Sequence, residues 1–381
     1  MHLEVLQNFI QQNQEELYRT LQELCQIPAP SHFEHDRAEY CKNWLIAQGA
    51  SGTYVDEAQN VIFPLNCEDS KEIAVIAAHM DTVFPDREPF AYIDDGETIR
   101  CPGVADDTAS VVVLMLTAKY FIENKLIPRK GILFVCNSCE EGLGNLKGIR
   151  QLFQDYEGRI GQFVSLDSNL NSACISSVGS HRYQVEVITE GGHSYSKFGN
   201  ANAIAELSKI IAKIYEIQVP KIRDSRTTYN VGSISGGTSV NTIAQSARML
   251  CEYRSDNVEC LAQMRDRFEE IFESSRAEKV AVNVTLLGER PCDMEGIDKV
   301  QEPLIALCRQ VIEGVIGTEL HLHSGSTDCN IPRSLGIPAI AVGVRDAAGI
   351  HTREECMDKK SVITGLEIAL KLVMALADID A

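Results

Sequence analysis

The stretch IAVIAAHMD, residues 73–81, determines the class of fold and the place of the candidate site. Its first six residues form an unbroken apolar run rich in β-branched side chains, which is typical of a parallel strand buried on both faces. A helical pattern from about 108 to 123 leads to a second such run at 132–136, and strands at 162–166 and 173–178 continue the sheet. This order predicts an α/β domain.

The flanking chain repeats the alternation of helices and strands. Apolar residues at helical spacing predict a helix from Leu3 to Leu24 and another from about 33 to 47. Towards the C-terminus the pattern predicts a helix near 300–314, a strand near 317–323, a short helix after Asp328, a strand at 339–342 and a helix at about 359–376.

A different pattern occupies residues 180–292. Strands are predicted at 181–190, 227–235, 245–256 and 279–288, with helices at 200–216 and 258–276. The order βαββαβ is that of a split βαβ, or ferredoxin-like, fold. We therefore predict an α/β domain of residues 1–179 and 293–381, with a smaller α+β domain inserted at 180–292.

Composition excludes several classes of protein. The 381 residues are 44% apolar, which excludes a disordered chain. The net charge of −19 argues against nucleic acid or an anionic membrane as a partner. No apolar stretch is long enough to span a bilayer, and the first residues lack the pattern of a signal peptide. The sequence therefore predicts a soluble, cytoplasmic protein.

The thirteen cysteines show no repeated spacing, and an odd number cannot all form disulfides. This usage favours a reducing compartment. Cys136 and Cys139 alone have C-x-x-C spacing, typical of a redox pair or half a zinc site. Because no second pair completes such a site, we interpret them as buried structural residues.

His79 and Asp81 follow the buried strand directly. Because side chains alternate along an extended chain, both point to the same side at the strand's carboxyl end, where open α/β sheets bind ligands. A metal-binding imidazole usually donates its other N–H to a carboxylate, and Asp81 is placed for that role. Taken alone, the triplet is equally typical of a structural histidine.

Carboxylates recur at comparable positions along the chain. Asp106 and Asp107 precede a predicted helix, and for Asp107 or Thr108 the favoured interpretation is a cap of its first turn. Glu140 and Glu141 come just after the strand at 132–136. Adjacent acids repel each other unless a cation lies between them.

Two further candidates complete the set. Asp167 ends the strand at 162–166, and His351 follows the strand at 339–342 after a short loop. Mixed histidine and carboxylate ligands suit zinc, and the number of acids allows a second ion and a general base. Together these residues predict a metal centre at one edge of the sheet.

These motifs resemble those of the co-catalytic di-zinc metallopeptidases and deacylases, a family that includes peptidase T, carboxypeptidase G, aminoacylase and acetylornithine deacetylase. The resemblance covers essentially the whole chain and implies an α/β/α catalytic domain with an inserted dimerisation or lid domain. In the family, the HxD motif supplies a histidine ligand and the acid that orients it. The Gly-x-x-Asp motif supplies a carboxylate that bridges two metal ions, and the Glu-Glu pair supplies a general base followed by a metal ligand.

Carried over to this chain, the resemblance makes Asp81 the orienting acid and Glu140 the general base. Asp106 would bridge two divalent ions, most simply Zn²⁺, with Co²⁺ or Mn²⁺ as alternatives. The implied metal ligands are His79, Asp106, Glu141, Asp167 and His351. Two departures are Thr108, where many members have lysine, and Asp167, where some have glutamate. The second favours peptidase T-like members.

The resemblance also implies roles for residues that bind substrate. In the family, a histidine in a Gly-rich turn can reach the neighbouring subunit's site and stabilise the oxyanion. His193 corresponds to that histidine; the alternative interpretation of His193 is an ordinary surface residue in a turn. Asn241 and Arg254 would hold the substrate carboxylate, although an arginine on an exposed strand is often only solvated. Ser326 lies in the matching Gly-rich loop of the catalytic domain.

The function expected from the resemblance is amide hydrolysis in short peptides by a homodimeric, peptidase T-like aminopeptidase or tripeptidase. An alternative within the same chemistry is a deacylase of N-acyl amino acids or a carboxypeptidase. An alternative of another class is a catalytically silent peptide-binding protein, which would have no need of the Glu140 base. A dinucleotide-dependent dehydrogenase is disfavoured because no G-x-G-x-x-G follows the first strand.

Overall fold

A computed structural model describes residues 2–68 and 70–379. These residues divide into two compact units. Unit 1 comprises Met1–Ser177 and Met294–Ala381, and unit 2 comprises Val178–Asp293. Within the described residues, no helix is long and apolar enough to cross a membrane.

The helices and strands are numbered in chain order. The helices are α1 His2–Cys25, α2 His35–Ala47, α3 Ala109–Glu123, α4 Lys147–Asp155, α5 Ala203–Tyr215, α6 Val258–Ser274, α7 Ile297–Ile316, α8 Asn330–Ser334 and α9 Ser361–Leu376. The strands in the first part of the chain are β1 Tyr54–Val55, β2 Val61–Leu65, β3 Ile73–His79, β4 Ile93–Asp94, β5 Thr98–Arg100, β6 Gly131–Asn137, β7 Ile160–Ser165 and β8 Ser172–Ser177. They continue with β9 Gly179–Thr189, β10 Gly192–His193, β11 Thr227–Gly236, β12 Thr242–Ile243, β13 Ser246–Ser255, β14 Val280–Arg290, β15 His321–Gly325, β16 Ala339–Val342, β17 Ala347–Ala348 and β18 Cys356–Asp358.

Unit 1 is built on an eight-stranded mixed sheet in the order β1-β2-β6-β3-β7-β16-β8-β15. The central strand β3 runs parallel to both of its neighbours, β6 and β7. Every residue of β3 and β6 is buried, as their unbroken apolar runs predict. A small antiparallel sheet, β17-β18-β5-β4, completes the unit.

Helices cover both faces of the large sheet. Ile76 and Ala78 of β3 belong to one apolar cluster, which also includes residues of α1, α3 and α9. Val75 and Ala77 belong to a second cluster, which includes residues of α4 and α8. This alternation along one strand produces three layers, α/β/α, and leaves the strand ends as the place for a site.

Unit 2 has the predicted βαββαβ order, with β9, α5, β11, β13, α6 and β14 in sequence. Its antiparallel sheet has the order β11-β13-β9-β14, and one apolar cluster joins the sheet to α5 and α6. The predicted fold class, α/β with a ferredoxin-like α+β unit, is therefore confirmed.

Two local features refine the sequence predictions. The strand expected near 317–323 begins only at His321, because α7 runs on to Gly317, whose φ of 70° ends the helix. All thirteen cysteines are free thiols, and Cys136 and Cys139 are both buried. A cytoplasmic location stays a prediction.

Candidate metal centre

His79 is the last residue of β3 and is fully buried. Its Nε2 lies 3.0 Å from Asp106 Oδ1, and its Nδ1 lies 3.0 Å from the Asp81 carbonyl and 3.5 Å from Asp81 Oδ1. Burial alone would lower the pKa of His79, but hydrogen bonds with Asp106 and Asp81 raise it well above its usual value. One ring nitrogen is thus oriented by Asp81 while the other faces a carboxylate.

Asp106 lies between two histidines. Its Oδ1 is 3.0 Å from His79 Nε2, and its Oδ2 is 3.0 Å from His351 Nε2. Burial would raise the pKa of this carboxyl, but hydrogen bonds with His351 and His79 hold the pKa well below its usual range. One oxygen of this carboxylate therefore faces each of the two imidazoles.

The turn Val104–Thr108 that carries Asp106 is fixed by Glu355. The Glu355 carboxylate accepts hydrogen bonds from the backbone N–H groups of Gly103, Ala105 and Asp106, at 2.9, 2.8 and 3.1 Å. The peptide bond between Asp106 and Asp107 is cis. Glu355 is buried, and the sequence analysis missed it, because a Glu in the polar run after His351 has the pattern of a solvated charge.

The helix-cap interpretation of Asp107 and Thr108 is wrong. Asp107 points back towards β3, where its Oδ2 accepts the backbone N–H of His79 at 3.2 Å. The Thr108 hydroxyl donates to the Gly103 carbonyl at 2.6 Å, and helix α3 begins without a side-chain cap. The tight turn at 104–108 closes on itself, so neither side chain faces the first free amides of the helix.

Glu140 and Glu141 lie side by side beyond the end of β6, and both side chains are buried. Their backbone N–H groups donate to Asp81 Oδ1 and Oδ2, both at 2.9 Å. Glu141 Oε1 lies 2.9 Å from His351 Nε2. Asp81 therefore orients His79 and holds this pair of acids at the same edge of the sheet.

Three overlapping groups of side chains have ligand atoms within 4.8 Å of one another. The groups are His79 with Glu140 and Glu141, Asp106 with Glu141 and His351, and His79 with Asp107 and Asp167. Because imidazole and carboxylate donors suit zinc and similar divalent ions, this set of residues fits a metal centre. The first group shares Glu141 with the second and His79 with the third.

Asp167 is held by an arginine that the sequence analysis missed. Arg345 Nη2 lies 3.2 Å from Asp167 Oδ1 and 3.9 Å from Asp107 Oδ1, and its Nε donates to the Ala105 carbonyl at 2.8 Å. The Arg345 side chain is 1% exposed. Its position in the loop between the predicted strand at 339–342 and His351 gave no sign that it would be buried among acids.

The loop that contains Ser326 follows β15 in unit 1. Two residues further on, the buried Asp328 accepts a hydrogen bond at 2.8 Å from the side chain of Asn137, the residue paired with His79 across β3 and β6. Burial raises the pKa of Asp328 to about 7. The loop therefore begins at the same sheet edge as the histidine, and Ser326 itself is partly exposed.

In unit 2, two of the predicted substrate-binding residues are neighbours. His193 of β10 pairs with Thr242 of β12, and Asn241 directly precedes that strand. The Asn241 carbonyl accepts the Ser194 N–H at 2.9 Å. His193 and Asn241 are both exposed.

Arg254 lies elsewhere in unit 2, on β13. Its guanidinium makes two hydrogen bonds to the Glu252 carboxylate, at 2.8 and 3.0 Å, so it is already paired within its own strand. The structure therefore joins His193 and Asn241 in one ribbon and leaves Arg254 in the four-stranded sheet.

Comparison with known protein families covers most of the chain. The model of peptidase family M20/M25/M40 matches residues 75–375. The chain belongs to this family. It is therefore a hydrolase of a metallopeptidase family, as the sequence resemblance predicts.

Relatives of this M20 family member include both peptidases and a deacylase. A succinyl-diaminopimelate desuccinylase of Corynebacterium glutamicum is 24% identical over 345 residues, covering 88% of this chain and 89% of that protein. A tripeptidase from Staphylococcus aureus has a TM-score of 0.77 and 22% identity, covering 96% of this chain and 99% of that one. The Bacillus subtilis YXEP protein, described as a dinuclear metal binding peptidase, has a TM-score of 0.63 and 14% identity over 97% and 100% of the two chains.

Proposed function

We propose that the protein is a metal-dependent aminopeptidase that hydrolyses short peptides in the manner of peptidase T. The observation that carries this proposal is the Asp106 carboxylate, 3.0 Å from both His79 and His351, with Glu141 2.9 Å from the same His351. The structural likeness to a tripeptidase supports peptides as the substrate.

The residues that would hold two divalent ions are His79, Asp106, Glu141, Asp167 and His351. Asp106 would serve both ions, since each of its oxygens faces a different histidine. Such ions, when bound, supply a Lewis acid for the amide carbonyl and lower the pKa of a nearby water. Zn²⁺ is the ion we favour, with Co²⁺ or Mn²⁺ as alternatives, because histidine and carboxylate donors suit all three.

Glu140 is the general base of this proposal. The residue is 6% exposed, and its carboxylate has an oxygen within 4.8 Å of ligand atoms of His79 and Glu141. It would take a proton from the attacking water and then give that proton to the departing nitrogen. The low exposure keeps bulk water from competing for the proton.

A second candidate function is deacylation of an N-acyl amino acid, or carboxypeptidase action, by the same residues. The 24% sequence identity to a desuccinylase, over 89% of that protein's length, favours this second candidate. A catalytically silent peptide-binding role is disfavoured by the Glu140 carboxylate, which binding alone does not require.

Hydrolysis of a small substrate panel tests these alternatives. The panel contains di-, tri- and tetrapeptides with free or blocked amino ends, and N-acetyl amino acids, after incubation of the protein with Zn²⁺, Co²⁺ or Mn²⁺. We expect metal-dependent cleavage of the free-amino peptides alone. Cleavage of the acylated compounds would move the assignment to a deacylase, and no turnover with metal bound would favour the silent alternative.

Unit 2 would complete the site in a homodimer. In this proposal His193 contributes to the oxyanion of the neighbouring subunit, while Asn241, Arg254 and Ser326 hold the substrate carboxylate. The exposed position of His193 on a short two-stranded ribbon supports a role at a contact with another chain.

Mixing two inactive variants tests the contribution of His193 across a dimer. Glu140→Ala and His193→Ala chains should each have low activity, and their equal mixture should regain up to about a quarter of the activity of the original protein. Random pairing makes about half of the dimers mixed, and one of the two sites in each mixed dimer is intact. The measurement is turnover of the best peptide after co-refolding or subunit exchange. A mixture no more active than its parts would contradict the proposal.

A further inference from the structure

The segment before helix α2 contacts the turn that carries Glu140. Pro30 forms a parallel bridge with Thr82, one residue after Asp81. The Ser31 hydroxyl lies 2.6 Å from Asp81 Oδ2 and 3.2 Å from the Glu141 carbonyl. A part of the chain more than a hundred residues away thus packs directly against the acids of the candidate centre.

Glu34, the last residue before α2, adds further contacts to the same turn. Its Oε1 accepts the backbone N–H of Cys139 at 3.0 Å, the Cys139 thiol at 3.2 Å and the backbone N–H of His32 at 3.0 Å. The Glu34 side chain is 1% exposed. Burying a carboxylate is costly unless it is well hydrogen-bonded, and these three donors offset part of that cost; burial still raises the pKa of Glu34 above its usual value.

Glu34 and Asp81 together anchor three consecutive amides. Cys139 donates to Glu34 Oε1, Glu140 to Asp81 Oδ1 and Glu141 to Asp81 Oδ2, at 3.0, 2.9 and 2.9 Å. The Cys139 backbone is left-handed, with φ of 58°. A residue in that conformation needs outside contacts to hold it, since an isolated chain disfavours it.

We infer that Glu34 is a positioning residue for the general base: by fixing the Cys139 amide it sets the direction in which the Glu140 carboxylate leaves the backbone. Asp81 holds the amides of Glu140 and Glu141, and Glu34 holds the amide of Cys139, the residue before Glu140. This inference rests on the proposed function, in which Glu140 is the base. A general base displaced by about 1 Å can lose about a hundredfold in rate.

The test compares steady-state kinetics of Glu34 variants that have been loaded with Zn²⁺. Glu34→Ala should lower kcat about tenfold or more, with KM within about twofold and the metal content unchanged. Glu34→Gln should recover most of the rate, because its amide oxygen can accept the same N–H bonds. Glu34→Asp keeps the charge but is one methylene shorter, and it replaces the alanine variant if that chain does not fold.

Glu313→Ala is the matched control. Glu313 also uses a side-chain oxygen to accept a backbone N–H, that of Leu320 at 3.0 Å, but it does so at the end of α7. This variant should keep kcat within about twofold of the original protein.

Hydrogen exchange of the metal-free protein supplies a readout independent of activity. Peptides covering residues 138–146 should exchange faster in Glu34→Ala and at the original rate in Glu34→Gln, while peptides of unit 2 stay unchanged. An unchanged kcat, or a loss of kcat that follows metal content and is not restored by Gln, would overturn the inference. Failure of the proposed function would give a different result, because Glu140→Ala would then retain turnover or the original protein would cleave no substrate.

Discussion

Replacing Glu140 with alanine should leave the metal content at its original value and lower turnover by a factor of about 10²–10⁴, the usual contribution of a general acid–base group. The expectation follows from position. Glu140 is buried beside His79 and Glu141. The candidate ligand group of Asp106, Glu141 and His351, however, does not include Glu140. Metal analysis of the purified variant and its kcat on the best peptide provide the measurement.

Glu141→Ala is the control for this prediction, because the two residues are adjacent and equally buried. Glu141 Oε1 lies 2.9 Å from His351, so its loss should reduce metal content as well as activity. If Glu140→Ala instead loses metal while Glu141→Ala keeps it, the roles of base and ligand are reversed.

Asp106→Asn should abolish detectable activity and leave at most one ion bound per chain. The carboxylate places one oxygen 3.0 Å from His79 and the other 3.0 Å from His351, whereas an amide offers only one acceptor. The lost negative charge further weakens binding of any cation. Titration of the metal-free variant with Zn²⁺, followed by calorimetry, measures the stoichiometry directly.

Asp56→Asn is the matched control for the bridging carboxylate. Asp56 also accepts several hydrogen bonds, from the Ala58 and Asn60 amides and the Asn60 side chain, but it belongs to none of the candidate ligand groups. The Asp56→Asn variant should bind metal as the original protein does. Two ions with unchanged affinity in Asp106→Asn would rule out the bridging role.

The strands and their order were predictable from sequence because burial leaves a direct mark on composition. The run at 73–78 has no polar residue, and the structure buries every residue of β3. The residues that follow such runs gather at one edge for a geometric reason, namely that parallel strands end together. His79 and Glu141 could therefore be expected to approach each other before their distance from His351 was known.

The supporting charges could not be predicted in the same way. Glu34, Arg345 and Glu355 lie in or beside loops, where a charged residue is normally solvated. Their burial depends on which backbone groups the folded chain brings within reach, such as the Cys139 amide and the Ala105 carbonyl. Tertiary contacts of this kind leave no periodic signal in the sequence.

The pairing of β9 with β14 has a consequence for the entropy of folding. Ser180, two residues after the start of unit 2, is directly opposite Arg290, three residues before its end. An unstructured insertion of this length would cost about 3 kcal/mol more to close than a four-residue turn. Because the folded unit returns the chain to its starting point, the rest of the protein pays the closure entropy of a short loop. Lengthening unit 2 would therefore add little to the closure entropy of unit 1, provided that β9 and β14 still pair.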